Sequence, residues 1–153
     1  MINYIKFFRR IYYATFLISS VAFSQVTKET VMEFYSTAKQ SNDLEFSYAK
    51  SKIPSSIKRK LKKSLSGFKL IGNDEKFNAS KPDAQLLFII KKGDYYTIVF
   101  KRGGRALSQY FVFCEIKNKK LLAFQIYDIL GYVKSQDDFI LSITEGKFRQ
   151  ANF

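Results

Sequence analysis

The chain has no histidine and no tryptophan, and among its 153 residues there are one cysteine, two prolines and seven glycines. Each shortage excludes something. Without an imidazole there is no Ser-His-Asp or Cys-His machinery and no His-ligated metal, because the side chain that shuttles the proton or offers the neutral nitrogen is missing. The lone Cys114 rules out a cysteine-cluster zinc site and an internal disulfide. With so few Pro and Gly and no low-complexity tract, no linker or internal repeat can be placed. The residue types therefore imply no cofactor and no metal, and they favour binding over catalysis. What the chain has instead is charge: 26 Lys and Arg stand against 13 Asp and Glu, a formal +13.

Part of that charge lies in a leader-like segment. Lys6, Arg9 and Arg10 precede an uncharged run from Ile11 to Phe23, which is short of the roughly 20 apolar residues a spanning helix needs. Ala22 and Ser24 then place small residues three and one before a cleavage point, the form a signal peptidase accepts. The expectation is a signal peptide over 1–24, cleaved after Ser24, and a secreted or periplasmic chain over 25–153 that meets a membrane only through that leader. The remaining 129 residues carry 23 bases and 13 acids and are enough for one domain with a real core.

Periodicity predicts helices first and sheet afterwards. Thr27 can cap a helix over 27–40 whose apolar positions Val31, Phe34, Tyr35 and Ala38 fall at i, i+3, i+4 and i+7, with Val26 and Val31 placed as a hydrophobic staple. Leu44 to Ala49 is expected as a short second helix. A third runs from Ser55 or Ser56 to Gly67 on a stripe of Ile57, Leu61 and Leu65. Strand-like alternation follows at 84–90, 95–101, 106–117 and 121–127, with reversals at Gly93, Gly103-Gly104 and Asn118-Lys119. Over 132–146 the pattern leans to strand through Ile140, Ile143 and Thr144, although Ser135, Asp137 and Asp138 also suit a helix start. The fold class is α+β, with N-terminal helices packed on a curved antiparallel sheet of about five strands.

Two-residue loops at both later turns imply a register. Arg102 would face Arg105, Ile98 Gln109 and Tyr96 Phe111, and then Phe113 would face Phe124 and Phe111 Ile126. One sheet face then collects Leu87, Ile89, Tyr96, Ile98, Phe100, Leu107, Phe111, Phe113, Leu122, Phe124 and Ile126 as the core. The other, with Cys114 as a small packed thiol, would be partly wet. Phe88 and Ile90 also fall there, so the C-terminal stretch is expected to cover part of it. Gln109 would be the polar intruder on the core face, and with Tyr96 it is the candidate lining of a small-ligand pocket.

Four Ser-x-x-Lys pairs, Ser36/Lys39, Ser47/Lys50, Ser55/Lys58 and Ser66/Lys69, have the spacing of a lysine-activated serine. A chain this rich in both residues produces such pairs by chance, and the companion motifs are absent. Asp74-Glu75 and Asp137-Asp138 lie in turn-like sequence and read as solvated. The basic stretch is more specific: from Phe46 to Asn73 there are eight bases and no acid. Lys58, Arg59, Lys60, Lys62 and Lys63 crowd the third helix, and Arg102 and Arg105 add two more candidates for holding an anion. Such a field suits an anionic surface or polymer. The stacking aromatics of nucleic-acid modules are not interleaved with these bases, which argues against nucleic acid. The bland alternative is a set of solvated surface lysines that keep the chain soluble.

The order of an amphipathic helix at 27–40, a step through Ser41-Asn42-Asp43-Leu44, a helix containing Ile53-Pro54-Ser55-Ser56-Ile57, and then long antiparallel strands resembles small exported NTF2-like (cystatin-like) proteins. The resemblance covers about 27–129. It implies a bent sheet wrapped around helices and a role in binding small molecules or mediating contacts. It carries over no functional residue.

Overall fold

The computed structural model describes residues 26–41, 43–65, 69–81, 83–104 and 107–151. The expected leader and cleavage point lie outside these residues, as do Gly67 and Arg105. The fold is mixed α+β. Among the described residues three helices, α1 (Lys28–Ser41), α2 (Ser55–Ser64) and α3 (Gln136–Thr144), flank one seven-stranded sheet. Its strands are β1 (Glu45–Ser47), β2 (Leu70–Ile71), β3 (Ala84–Lys92), β4 (Tyr95–Arg102), β5 (Ser108–Lys117), β6 (Lys120–Ile129) and β7 (Phe148–Gln150). The order is β1-β3-β4-β5-β6-β7, antiparallel throughout, with β2 added in parallel beside the start of β3.

Two expectations about the architecture are corrected by this arrangement. Among the described residues there are seven strands rather than about five, because three short strands are stabilised only by the partner they lie against. Segment 44–49, expected as helix, supplies one of them: Glu45, Phe46 and Ser47 pair with Lys91, Ile90 and Ile89. Nor are the helices all N-terminal, since α3 follows the main meander. The lean to strand over 132–146 is overturned by local chemistry. Ser135 accepts a hydrogen bond from the Asp138 N–H at 3.1 Å, an N-cap, and Gly146 at φ 69° stops the helix in a left-handed conformation.

α1 forms where its spacing places it. Thr27 Oγ1 accepts from the Thr30 N–H at 3.2 Å, and Val31, Tyr35 and Ala38 are fully buried. Lys28 fastens its start to the end of α3 by donating to the carbonyls of Gly146 and Phe148 at 2.6 and 2.9 Å, which also places a cation at a helix C-terminus.

Register is where the structure departs most from the sequence pattern. Gly103 and Gly104 do not form a hairpin tip. Their N–H groups donate to the carbonyls of Asp83 and Ala79 at 3.0 and 2.8 Å, which lays this backbone against segment 79–83. Arg102 consequently pairs with Ser108, Ile98 with Val112 and Tyr96 with Cys114, a shift of three positions. At Asn118-Lys119 the two-residue turn does form, with both residues in left-handed conformation at φ 51° and 63°. An irregularity between Glu115 and Ile116 then moves the pairing by one, so that Phe113 faces Gln125 and Phe111 faces Tyr127.

An odd shift turns a strand over. Shifts of three and then one return β6 to its expected face while β5 is inverted, and a bulge between Leu86 and Phe88 turns over the first part of β3 as well, so that Leu86 packs with Phe100 and Leu87 lies with Phe88 on the other side. Val112 and Cys114 therefore join Ile98, Phe100 and Ile126 against α2. Phe111 and Phe113 join Phe88, Ile90, Val99 and Tyr127 against α1 and α3. Both faces are buried, and neither is the wet face the pattern suggested. The C-terminal stretch covers Phe88 and Ile90 as expected: Phe139 of α3 meets the rings of Phe88, Phe111 and Tyr35 edge-on at 5.7, 5.3 and 5.6 Å. Among the described residues no helix is long and apolar enough to cross a membrane.

Candidate anion-binding site

α2 begins after Pro54, whose ring cannot continue a helix backwards but suits its start. Its stripe of Ile57 and Leu61, continued by Leu65, is buried against the sheet, each side chain worth about 1.5–3 kcal/mol. Inward placement of that stripe forces Lys58, Arg59, Lys60, Lys62 and Lys63 outward. Lys58/Lys62 and Arg59/Lys63 are like-charged i, i+4 pairs, each unfavourable by about 0.2–0.5 kcal/mol. The first turn contains no acid, and among the described residues none of the ion pairs engages a base of α2. Lys60 lies 5.9 Å from the ring centroid of Phe124, over the sheet.

Two further lysines join this helix from outside it. Lys50, in a single 3₁₀ turn (Lys50–Lys52), and Lys69, just before β2, line a recess of about 300 Å³ together with Lys58 and Lys62, and Leu61 and Leu70 supply its apolar part. Among the described residues one carboxylate forms an ion pair with this cluster. Glu75 Oε1 accepts from the Gly72 N–H at 2.6 Å and lies 3.8 Å from Lys50 Nζ. Its pKa is held below the ordinary carboxylate value, first by the Gly72 hydrogen bond, which desolvation opposes, and then by the fields of Lys50 and Lys69. Gln85 holds that turn in place. The residue is 8% exposed and its Nε2 donates to the carbonyls of Asn73 and Glu75 at 3.1 and 2.9 Å.

The other expected site residues are dispersed. Gln109 and Tyr96, the candidate pocket pair, lie on opposite faces of the sheet because β5 is inverted. Gln109 is 2% exposed, and its amide is fully engaged with Val133, donating to the carbonyl at 2.9 Å and accepting from the N–H at 2.7 Å. Tyr96 instead borders a separate recess of about 380 Å³ with Phe46, Lys52 and Lys91. Arg102 ends β4 on the sheet face that α2 covers, opposite Ser108 rather than Arg105. Cys114 is a packed thiol as expected. It is fully buried, its Sγ lies 3.4 Å from the Tyr96 carbonyl oxygen, and burial pushes its pKa up. Asp138 belongs to the α3 cap, where its carboxylate accepts from the Lys134 N–H at 3.2 Å.

The recess was legible in part. Lys50 and Lys69 belong to the acid-free stretch, but nothing in their spacing says that they meet Lys58 and Lys62. Glu75 and Gln85 carried no sequence signal of a role at this site. No family model, curated protein or solved structure matches the chain.

Proposed function

We propose that the protein is an exported, non-enzymatic binding module that holds an anionic ligand, polymer or surface through the exposed face of α2 and the adjoining lysine recess. The observation that carries this reading is the convergence of Lys50, Lys58, Lys62 and Lys69, from three separate segments, on one hollow with an apolar wall. Among the described residues Glu75 is the carboxylate that an ion pair brings to these four ammonium groups, which leaves an excess of positive charge, and an anion seated there relieves the i, i+4 repulsion along α2. Leucines beside the lysines exclude water on one side, which strengthens the attraction. Export rests on the leader-like 1–24 segment. The NTF2-like resemblance is compatible with a binding role and adds no residue to it.

The test is retention of the purified chain on a sulfated-polysaccharide matrix. Wild type is retained at about 0.15 M salt, where fields reach about 8 Å, and elutes as salt rises. Lys50→Gln/Lys62→Gln elutes at markedly lower salt. A control that removes the same charge elsewhere, Lys117→Gln/Lys120→Gln in the β5–β6 hairpin, changes elution little. Equal loss in both variants assigns retention to net charge alone and overturns the site.

A further inference from the structure

The opposite face of the sheet carries a recess of different chemistry. Glu33, Phe34 and Thr37 of α1 line it on one side, and Gly93, Asp94 and Tyr95 at the β3–β4 turn line it on the other, around an open volume of about 490 Å³. Three rings form its base. Phe34 lies 5.2 Å from Tyr95 and 5.1 Å from Phe113, and Tyr95 stacks on Phe113 at 5.7 Å. Phe113 is buried, whereas Phe34 and Tyr95 are half-exposed, so the cluster is anchored from below and open above.

Its rim is acidic in a chain with twice as many bases as acids. Glu33 and Asp94 line the recess, and Glu115 pairs with Tyr95 across β4 and β5. The negative field reaches the ring: after desolvation, Glu115 and Asp94 are the causes that raise the Tyr95 phenol's pKa. Among the described residues Lys92 is the one base of the lining, and it is already neutralised, 2.9 Å from Asp43 Oδ1 and 2.8 Å from Ser41 Oγ. In that position its ammonium lies 5.9 Å from the Phe34 ring centroid, so the ring already faces one cation.

We infer that this recess binds an organic cation, an ammonium or guanidinium group resting on Phe34 and Tyr95 within reach of Glu33 and Asp94. Aromatic faces attract cations through their quadrupole, most strongly where water is partly excluded. The carboxylates add a Coulomb attraction that a neutral apolar ligand would leave unused. A bare metal ion is disfavoured by the same surroundings: among the described residues no three carboxylate or thiol groups gather to hold one, and rings supply no oxygen ligands. The group can come from a quaternary ammonium compound or from a basic side chain. The site lies across the sheet from α2 and does not depend on the anion-binding proposal.

The experiment is a titration of the purified chain with choline and, separately, with N-acetyl-arginine methylamide, following the Tyr95 and Phe34 ring resonances by NMR. Neutral counterparts, 3,3-dimethylbutanol and N-acetyl-citrulline methylamide, serve as controls. A saturable shift with at least one cation is expected, about fivefold or more tighter than with its neutral counterpart, and which cation binds identifies the source. Glu33→Gln, an exposed substitution on α1 that leaves the thermal unfolding midpoint unchanged, weakens binding about three- to fivefold, and Tyr95→Leu abolishes it. Equal binding of cation and neutral counterpart, indifference to Glu33→Gln, or no saturable shift with either cation up to about 50 mM overturns the inference.

Discussion

Gln109 and Val133 exchange two hydrogen bonds, side-chain amide to backbone, at 2.9 and 2.7 Å. The amide thus acts like one more residue of β-strand. It satisfies the donor and acceptor of a buried loop residue, only 3% exposed, that leads into α3, and it joins that loop to β5. Replacement by Leu keeps the bulk and removes both partners. Each orphaned buried backbone group costs about 1–3 kcal/mol, so Gln109→Leu is expected to lose about 2–4 kcal/mol in urea unfolding. A loss below about 0.5 kcal/mol would show that the loop finds other partners.

Tyr35 and Thr97 make the corresponding link between α1 and the middle of the sheet. The Tyr35 hydroxyl bonds Thr97 Oγ1 at 2.5 Å, with the tyrosine fully buried. Thr97→Val leaves the phenol unsatisfied and is expected to cost about 1–3 kcal/mol. Tyr35→Phe/Thr97→Val removes both partners and should cost less than the sum of the single changes, with a coupling of about 0.5–2 kcal/mol in a double-mutant cycle. Additive losses would mean that the hydroxyl bond contributes nothing.

Gly103 is a glycine for lack of space rather than for its backbone angle. A Cβ there would stand 2.6 Å from the Ala79 carbonyl oxygen and 2.7 Å from that of Lys81, both backbone atoms. Gly103→Ala therefore separates the β4 end from segment 79–83, at about 1–3 kcal/mol. Gly93, at φ 56° with open space around it, meets the opposite condition: Gly93→Asn is tolerated because asparagine accepts a left-handed conformation. Thermal unfolding of the two variants checks the contrast, and equal midpoints would refute it.

Glu75 gives the lysine recess a pH dependence. Its folded-state pKa lies below the ordinary 4.5, so its contribution to stability is present above that value and is lost as pH falls through the folded one. The same protonation frees Lys50. Glu75→Gln is expected to bind a sulfated polysaccharide about two- to fivefold more tightly at pH 7, the scale of one exposed ion pair. The advantage over wild type should vanish at pH values below the carboxylate's titration, where sulfate stays ionised. Identical affinities at pH 7 would detach Glu75 from the site.

Local sequence was sufficient wherever the cause was local. Apolar spacing placed α1 and α2, and alternation with turn residues placed β3 to β6 to within a few residues, because these signals act over one turn or one hairpin. Ser135 and Gly146 carried the start and stop of α3 as well, and this cap chemistry prevails over the β-branched residues between them, while Phe139, Ile140 and Ile143 are buried in the core. β1 lay beyond local reading, since three residues become a strand only against β3.

The sequence by itself determined where charge lies: an acid-free stretch around α2 whose apolar stripe must turn inward and so must turn its bases out. It also determined, through the missing histidine, which chemistries are unavailable. Tertiary structure alone decided which residues meet. Gly103-Gly104 is used for close approach to segment 79–83 rather than as a hairpin tip, and that lengthens the connection, shifts β5 by an odd number and inverts it. The inversion carries Gln109 away from Tyr96 and closes it onto Val133, while Lys50, Lys58, Lys62 and Lys69 come together across three segments. Side-chain direction in a sheet depends on register, and register depends on contacts far along the chain that no local pattern encodes.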